Sequence, residues 1–145
     1  MPFVEVFATD LGDEQKRAIS EQLVGEVMLA EGAPDTEAAR SISWLVWHDV
    51  AAWSIGGRVV SAQEQPRYVV RVSVPAGSMN DQKRADMVGR VTRVLADADE
   101  TPERLFEEPV AWVHITEIAE GNWGALGRVV KFPDIANFVL TGAIA

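Results

Sequence analysis

Ile115-Thr116-Glu117-Ile118-Ala119-Glu120-Gly121-Asn122-Trp123-Gly124-Ala125-Leu126-Gly127 passes from apolar alternation into a glycine-punctuated turn that carries one large aromatic ring. An earlier stretch, His48-Asp49-Val50-Ala51-Ala52-Trp53-Ser54-Ile55-Gly56-Gly57, has the same outline. Glycine supplies the positive φ that tight turns between strands need, so each stretch reads as a strand running into a short hairpin. Two such stretches in one chain point to an internal duplication.

The segments before each stretch also correspond. Phe3 to Ala8, apolar and β-branched with Glu5 interposed, predicts a first strand. Asp13 reads as the N-cap of a helix with Leu23, Val24, Val27 and Met28 at helical spacing, and Gly32 and Pro34 end it. After an alanine-rich link, Ser41 to Val50 runs apolar through Ile42, Trp44, Leu45, Val46 and Trp47, as a mostly buried strand does. The polar stretch Ser61 to Arg67, with Pro66, is the linker. The order then begins again. Val69 to Val74 predicts a strand and Pro75 to Met79 a loop. Asn80 caps a helix burying Val88, Val91, Val94, Leu95 and Ala98; Glu100 to Pro109 connects it to a strand from Val110 to Ile118.

Asp13 and Asn80, Gln15 and Gln82, and Arg17 and Arg84 are each 67 positions apart. Trp44 and Trp112 are 68 apart, Trp53 and Trp123 are 70 apart, and Gly57-Arg58-Val59-Val60 then matches Gly127-Arg128-Val129-Val130. Under this register Pro2 corresponds to Val69. The expected fold class is α+β: one domain over 1–145, built of two βαβ repeats at about 2–60 and 69–130, with a C-terminal tail at 131–145. Right-handed crossovers place both helices on one face of a mixed four-stranded sheet flanked by short hairpins. A ferredoxin-like βαββαβ domain has the same element order and is the structural alternative.

Composition narrows the function classes. The 145 residues suit one compact domain, and 48% hydrophobic with 24% charged residues is ordinary for a globular protein. No apolar run approaches the roughly 20 residues of a membrane span. The N-terminal sequence lacks the basic and apolar regions of a secretory signal, so a cytoplasmic location is expected. The absence of cysteine excludes disulfides and thiolate chemistry, and two histidines make a histidine-rich metal site unexpected. A formal charge of −9 argues against binding nucleic acid or anionic lipid.

Gly12-Asp13-Glu14-Gln15-Lys16 before an amphipathic helix, together with Ile115-Thr116-Glu117, Ala119, Gly121, Trp123-Gly124 and Gly127, resembles the two ends of a 4-oxalocrotonate tautomerase subunit. The resemblance covers 2 to about 60 and again 69 to about 130, so the chain looks like a fused, two-copy member of the tautomerase superfamily. Its plan is shared by malonate semialdehyde decarboxylase and cis-3-chloroacrylic acid dehalogenase. The resemblance implies a homotrimer, no cofactor, and a catalytic proline directly after the initiator methionine. Pro2 holds that position.

The chemistry of such a proline follows from its amine. An N-terminal secondary amine titrates nearer neutrality than lysine does, and burial among aromatic rings disfavours its cation further. The neutral amine can then remove a proton next to a carbonyl, provided a donor holds the enolate oxygen. Met1 must first be removed, because a retained methionine makes the Pro2 nitrogen a non-basic amide. The plain alternative is that Pro2 starts an edge strand, where a missing N–H costs nothing.

The resemblance also implies substrate arginines, and here the sequence departs from it. The loop positions fall at Thr9 and Gly12 in the first copy and at Ala76 and Met79 in the second, and the strand position falls at Trp44 and Trp112. None is arginine. The expected pocket around Pro2 is formed by Ala76, Met79, Trp112, Trp123 and Ala125. Arg71, taken to share the parity of Pro2 and Val4, and His114, on the face of Trp112, are the candidate carbonyl-polarising groups. Arg71 equally suits an interface pair, His114 a core histidine, and Glu117 a structural carboxylate. The expected activity is keto–enol proton transfer on a small carbonyl compound with Pro2 as base. Alternatives are Pro2 as a general acid in hydration, dehalogenation or decarboxylation, and a non-catalytic trimer with an apolar ligand pocket. The apolar tail, with Phe132, Ile135, Phe138, Val139 and Leu140, is expected to close the pocket or, preferably, to cover a neighbouring subunit.

Overall fold

A computed structural model describes residues 2–9, 11–61 and 64–143. In chain order the elements are β1 (Phe3–Ala8), α1 (Asp13–Glu31), α2 (Glu37–Ser41), β2 (Trp44–Asp49), β3 (Ser54–Ile55) and β4 (Arg58–Val59). They are followed by β5 (Tyr68–Pro75), α3 (Asp81–Asp97), α4 (Arg104–Glu107), β6 (Ala111–Ile118), β7 (Gly124–Ala125), β8 (Arg128–Val129) and α5 (Phe132–Thr141). The main sheet is mixed, with strand order β2-β1-β5-β6. β1 runs parallel to β2, β5 runs parallel to β6, and the two halves meet antiparallel at β1 and β5. The pairs β3–β4 and β7–β8 are the two expected hairpins.

Period-two alternation decides which face of the sheet is covered. Val4, Val6 and Ala8 of β1 are buried opposite Val72, Val70 and Tyr68 of β5. Ile19, Leu23 and Val27 of α1, and Met87, Val91 and Leu95 of α3, join them in one core. Each of these valine, leucine, isoleucine or methionine side chains contributes about 1.5–3 kcal/mol when fully buried. The opposite face carries Phe3, Glu5 and Phe7, and no element of the described chain is paired over it.

The apolar positions correct the internal register. Ile19 and Met87, Leu23 and Val91, and Val27 and Leu95 are each 68 apart, as are the two helix N-caps, Gly12 and Asn80. The expected spacing of 67 rested on Gln15-Lys16-Arg17 and Gln82-Lys83-Arg84, which lie in the first turns, where charged residues slip by one position without disturbing the core. For the same reason Asp13 is the first helical residue and not the cap. Met87 takes a buried position, whereas Val88 is exposed. Pro2 therefore corresponds to Val70, and Arg71 corresponds to Phe3.

Two short helices lie where connectors were expected, α2 in the alanine-rich link and α4 before β6. The tail is also helical. Ile135 and Val139 of α5 pack on Met28, Ala39 and Val130 of the same chain, and the Thr36 hydroxyl donates to the Val139 carbonyl at 2.7 Å. That hydroxyl also accepts from the Ala39 N–H at 3.0 Å, so one side chain caps α2 and fastens α5 to it. Leu140 and Phe132 point away from this cluster and are exposed. Among the described residues no helix is long and apolar enough to cross a membrane.

Candidate active site

β1 begins where β5 and β6 end: Phe3 lies opposite Ser73, and Ser73 beside Thr116. Pro2, immediately before β1, is buried, and its alternation with Val4 and Val6 directs it to the helix side of the sheet. The same end receives the loop after β5 and the β7–β8 hairpin. In that loop the Ala76 N–H donates to the Ile118 carbonyl at 2.8 Å, and Met79 is buried in the main core. Trp123 packs with Ile42 and Val130 against α5, and its carbonyl accepts from the Val130 N–H at 3.0 Å. Its indole Nε1 is buried with no hydrogen-bond partner among the described residues. Trp123, Ala125, Ile42, Ile135 and Phe138 bound a small apolar cleft at this end. Ala76, Met79, Trp123 and Ala125 are thus gathered at the end of the sheet where Pro2 lies.

One cation belongs to this end that the sequence did not single out. Lys83, in the first turn of α3, reaches across to the end of α1, where Nζ donates to the Glu31 carbonyl at 3.2 Å, and it also donates to the carbonyl of Ser78, in the loop after β5, at 3.3 Å. An ammonium has three donors, and two are engaged among the described residues. It lines a cavity of about 380 Å³ with Gly32, Gly77, Ser78, Phe132 and Ile135. Gly32, at φ 84°, ends α1 here. A Cβ added to it would come within 3.3 Å of the Lys83 Nζ, so glycine leaves the ammonium its place. Pro2 is not among the lining residues. The signal available in the sequence was positional: a basic residue in a helix's first turn, where acidic ones are favoured.

Fused 4-OT in its native form aligns with 97% of this chain and 99% of its own, at TM-score 0.69 and 21% identity. A fused 4-OT solved as an asymmetric trimer covers 88% and 94%, at TM-score 0.67 and 21% identity. Pt0534, captured after inactivation by 2-oxo-3-pentynoate, covers 88% and 94%, at TM-score 0.70 and 18% identity. The chain has the tautomerase-superfamily fold. No protein-family model and no curated protein sequence matches it.

Within this tautomerase fold the remaining candidates lie elsewhere. Arg71 faces away from Pro2: it stands opposite Glu5 and beside His114 on the open side of the sheet, with its guanidinium 5.8 Å from the centre of the Phe7 ring. The expectation that it shares the face of Pro2 followed from the register of 67 and falls with it. Trp112 and His114 are exposed on the same open side, with Trp112 beside Val69, near the end of the sheet remote from Pro2. One chain alone does not bring Arg71, Trp112 or His114 to Pro2. The open side instead assembles a polar group that the sequence left scattered. His48 Nε2 lies 3.1 Å from Glu5 Oε1, and the His48 ring stacks on Phe7 at 4.3 Å. Glu117 pairs with Arg84 at 3.1 Å, in keeping with a structural carboxylate.

The register of 68 moves the second-copy loop positions from Ala76 and Met79 to Gly77 and Asn80, which are not arginines either. Among the described residues no three histidine, aspartate or glutamate side chains are grouped to hold a metal ion.

Proposed function

We propose that this chain is a cofactor-independent tautomerase-type enzyme, a single domain of two repeats acting in the cytoplasm as a homotrimer. The amine of Pro2 is the general base for keto–enol proton transfer on a small carbonyl compound. The observation that carries this reading is the burial of Pro2 at the mouth of β1, at the end that also receives the Trp123 hairpin. Burial disfavours the ammonium form, so the amine freed by loss of Met1 is neutral near pH 7 and takes the proton from the carbon next to the carbonyl. Met1 itself lies outside the described residues. The enolate oxygen needs a donor, and the unpaired Trp123 indole N–H supplies one. Handing the proton from Pro2 to the enolate oxygen gives the enol, and the reverse transfer to the same carbon restores the ketone. Lys83 takes the part of the absent arginines and holds a single carboxylate, which favours a monoacid over a diacid.

The trimer is supported by the fused 4-OT neighbour that assembles as one, and by the tryptophans and valines left on the open face of this sheet. Another copy is also the source from which Arg71, Trp112 and His114 would reach a Pro2 site.

A second reading, a non-catalytic trimer that binds a ligand, is favoured by Gly77, Asn80 and Trp112 standing where arginines were expected. Incubation with 2-oxo-3-pentynoate, an acetylenic 2-oxo acid that alkylates neutral amines, separates the two. The enzyme reading expects mass spectrometry to show Met1 removed and one adduct on Pro2, with ketonisation of phenylenolpyruvate lost in Pro2→Ala. A chain that retains Met1, or a Pro2→Ala variant as active as the parent, overturns it.

A further inference from the structure

The end of the sheet opposite Pro2 carries the hairpin of the first repeat. There β1 and β2 end, β5 begins, and β3–β4 folds back with Trp53, the counterpart of Trp123. A cavity of about 320 Å³ opens at this end, lined by Thr9, Val50, Trp53, Val60, Glu64 and Arg67 among others. That size lies at the lower bound of small-molecule sites, roughly 300–1,000 Å³.

Its polar inventory is unbalanced. Thr9 Oγ1, Trp53 Nε1 and Arg67 Nε are all buried, and none has a hydrogen-bond partner among the described residues. Across the described chain one other side-chain polar atom is in that condition, Nε1 of Trp123. Three unsatisfied groups on residues that line one cavity are costly unless a partner reaches them, because each buried donor left unpaired costs about 1–3 kcal/mol. Indole and guanidinium nitrogens only donate, and the threonine hydroxyl can donate as well, so the missing partner is an acceptor. Glu64, the carboxylate among the lining residues, is already held by Arg58 at 2.9 Å and stands 3.8 Å from Arg67. Arg67 therefore shares its nearest carboxylate with a second guanidinium, and an anionic acceptor suits it. Val50, Ala51, Ala52, Val60 and Pro66 supply apolar walls for the rest of the ligand.

We infer that this cavity is a second, non-catalytic site for a small monocarboxylate with an apolar body, its carboxylate accepting from Arg67, Trp53 and Thr9. The position corresponding to Pro2 is Val70, inside β5, so among the described residues the site has donors but no free amine. It binds without turning over. The inference does not rest on the chemistry proposed for Pro2, and its test is read in protein whose Pro2 is replaced.

Phenylacetate is the probe, titrated into the full-length Pro2→Ala chain while the five tryptophan indole N–H signals are followed by NMR, with assignment from Trp53→Phe. Saturable binding that moves the Trp53 signal is expected, weakened about tenfold or more by Arg67→Gln, the loss of one charge-assisted hydrogen bond, and absent for uncharged phenylacetamide. Trp53→Phe keeps an aromatic ring, though a smaller one, and loses the indole N–H, and is expected to weaken binding several-fold should Arg67→Gln fail to fold. The inference is overturned if phenylacetate leaves the Trp53 signal unmoved, if phenylacetamide binds equally well, or if a folded Arg67→Gln binds as tightly as its parent.

Discussion

Asp99 and Arg104 form a buried bidentate ion pair, with Nη2 to Oδ2 at 2.7 Å, Nε to Oδ1 at 3.1 Å, and side chains 3% and 6% exposed. The same guanidinium donates to the Pro66 carbonyl, and Asp99 Oδ1 accepts from the Thr101 N–H at 2.9 Å. The linker between the two repeats is thereby tied to the end of α3. Arg104→Met keeps much of the side chain's bulk but strands a buried carboxylate, and is expected to cost about 3–5 kcal/mol in urea unfolding. A loss under about 1 kcal/mol would show that the linker is held by other contacts.

Tyr68 lies beside this pair at the start of β5, and burial, reinforced by the negative charge of Asp99, pushes its phenol up to about 12. The folded value exceeds the unfolded value of about 10, so folding favours the protonated form. The contribution is complete below about pH 10 and is lost as pH rises from there through the folded value. The melting temperature should therefore fall between about pH 10 and 12, and Tyr68→Phe should flatten that part of the curve. An equal alkaline slope in the variant would assign it to other groups.

These residues mark how far the sequence could be read. β1 was legible to the residue because Val4, Val6 and Ala8 alternate cleanly with half-buried positions, and both hairpins were legible because their glycines are tied to one turn geometry. Asp99 and Arg104 were not. Each is an ordinary charged residue in a polar connector, and their pairing depends on where α4 turns, which no periodicity records. The placement of Pro2 and Trp123 at one end of the sheet was legible, because their positions are set by the start of β1 and by the hairpin. Lys83 was hidden, because its placement comes from the gap between two helices and from a partner, Glu31, that is 52 residues away in sequence. The face assigned to Arg71 was wrong by one residue, and in a strand one residue exchanges the two faces.

Lys83 offers a kinetic prediction. If it holds the substrate carboxylate, Lys83→Gln should raise KM for a 2-oxo monoacid about tenfold or more while changing kcat less, because the carboxylate is bound alike in ground and transition states. For an uncharged ketone the variant and parent should match. Stability should change by only about 1 kcal/mol, the scale of the two hydrogen bonds to Glu31 and Ser78 that glutamine can partly replace. Steady-state assays on the paired substrates decide the matter, and an equal KM effect on the ketone would make Lys83 a structural clasp between α1 and α3.

The open face of the sheet gives the assembly prediction. Trp44, on edge strand β2, is 68% exposed, and Trp112, on edge strand β6, is 60% exposed. Each ring would bury roughly 150–250 Å² if covered, and both lie on the side away from α1 and α3. A trimer that covers this face would have to desolvate any charge placed there, at a cost of several kcal/mol for each unpaired ion. If the proposed trimer forms through this face, Trp112→Glu should convert it to monomer in light scattering coupled to size exclusion, whereas Arg93→Glu on the exposed side of α3 should leave it intact. Both variants should keep the native circular dichroism, because neither residue belongs to the buried core. A Trp44→Glu, Trp112→Glu double variant that still runs as a trimer would place the subunit contacts elsewhere.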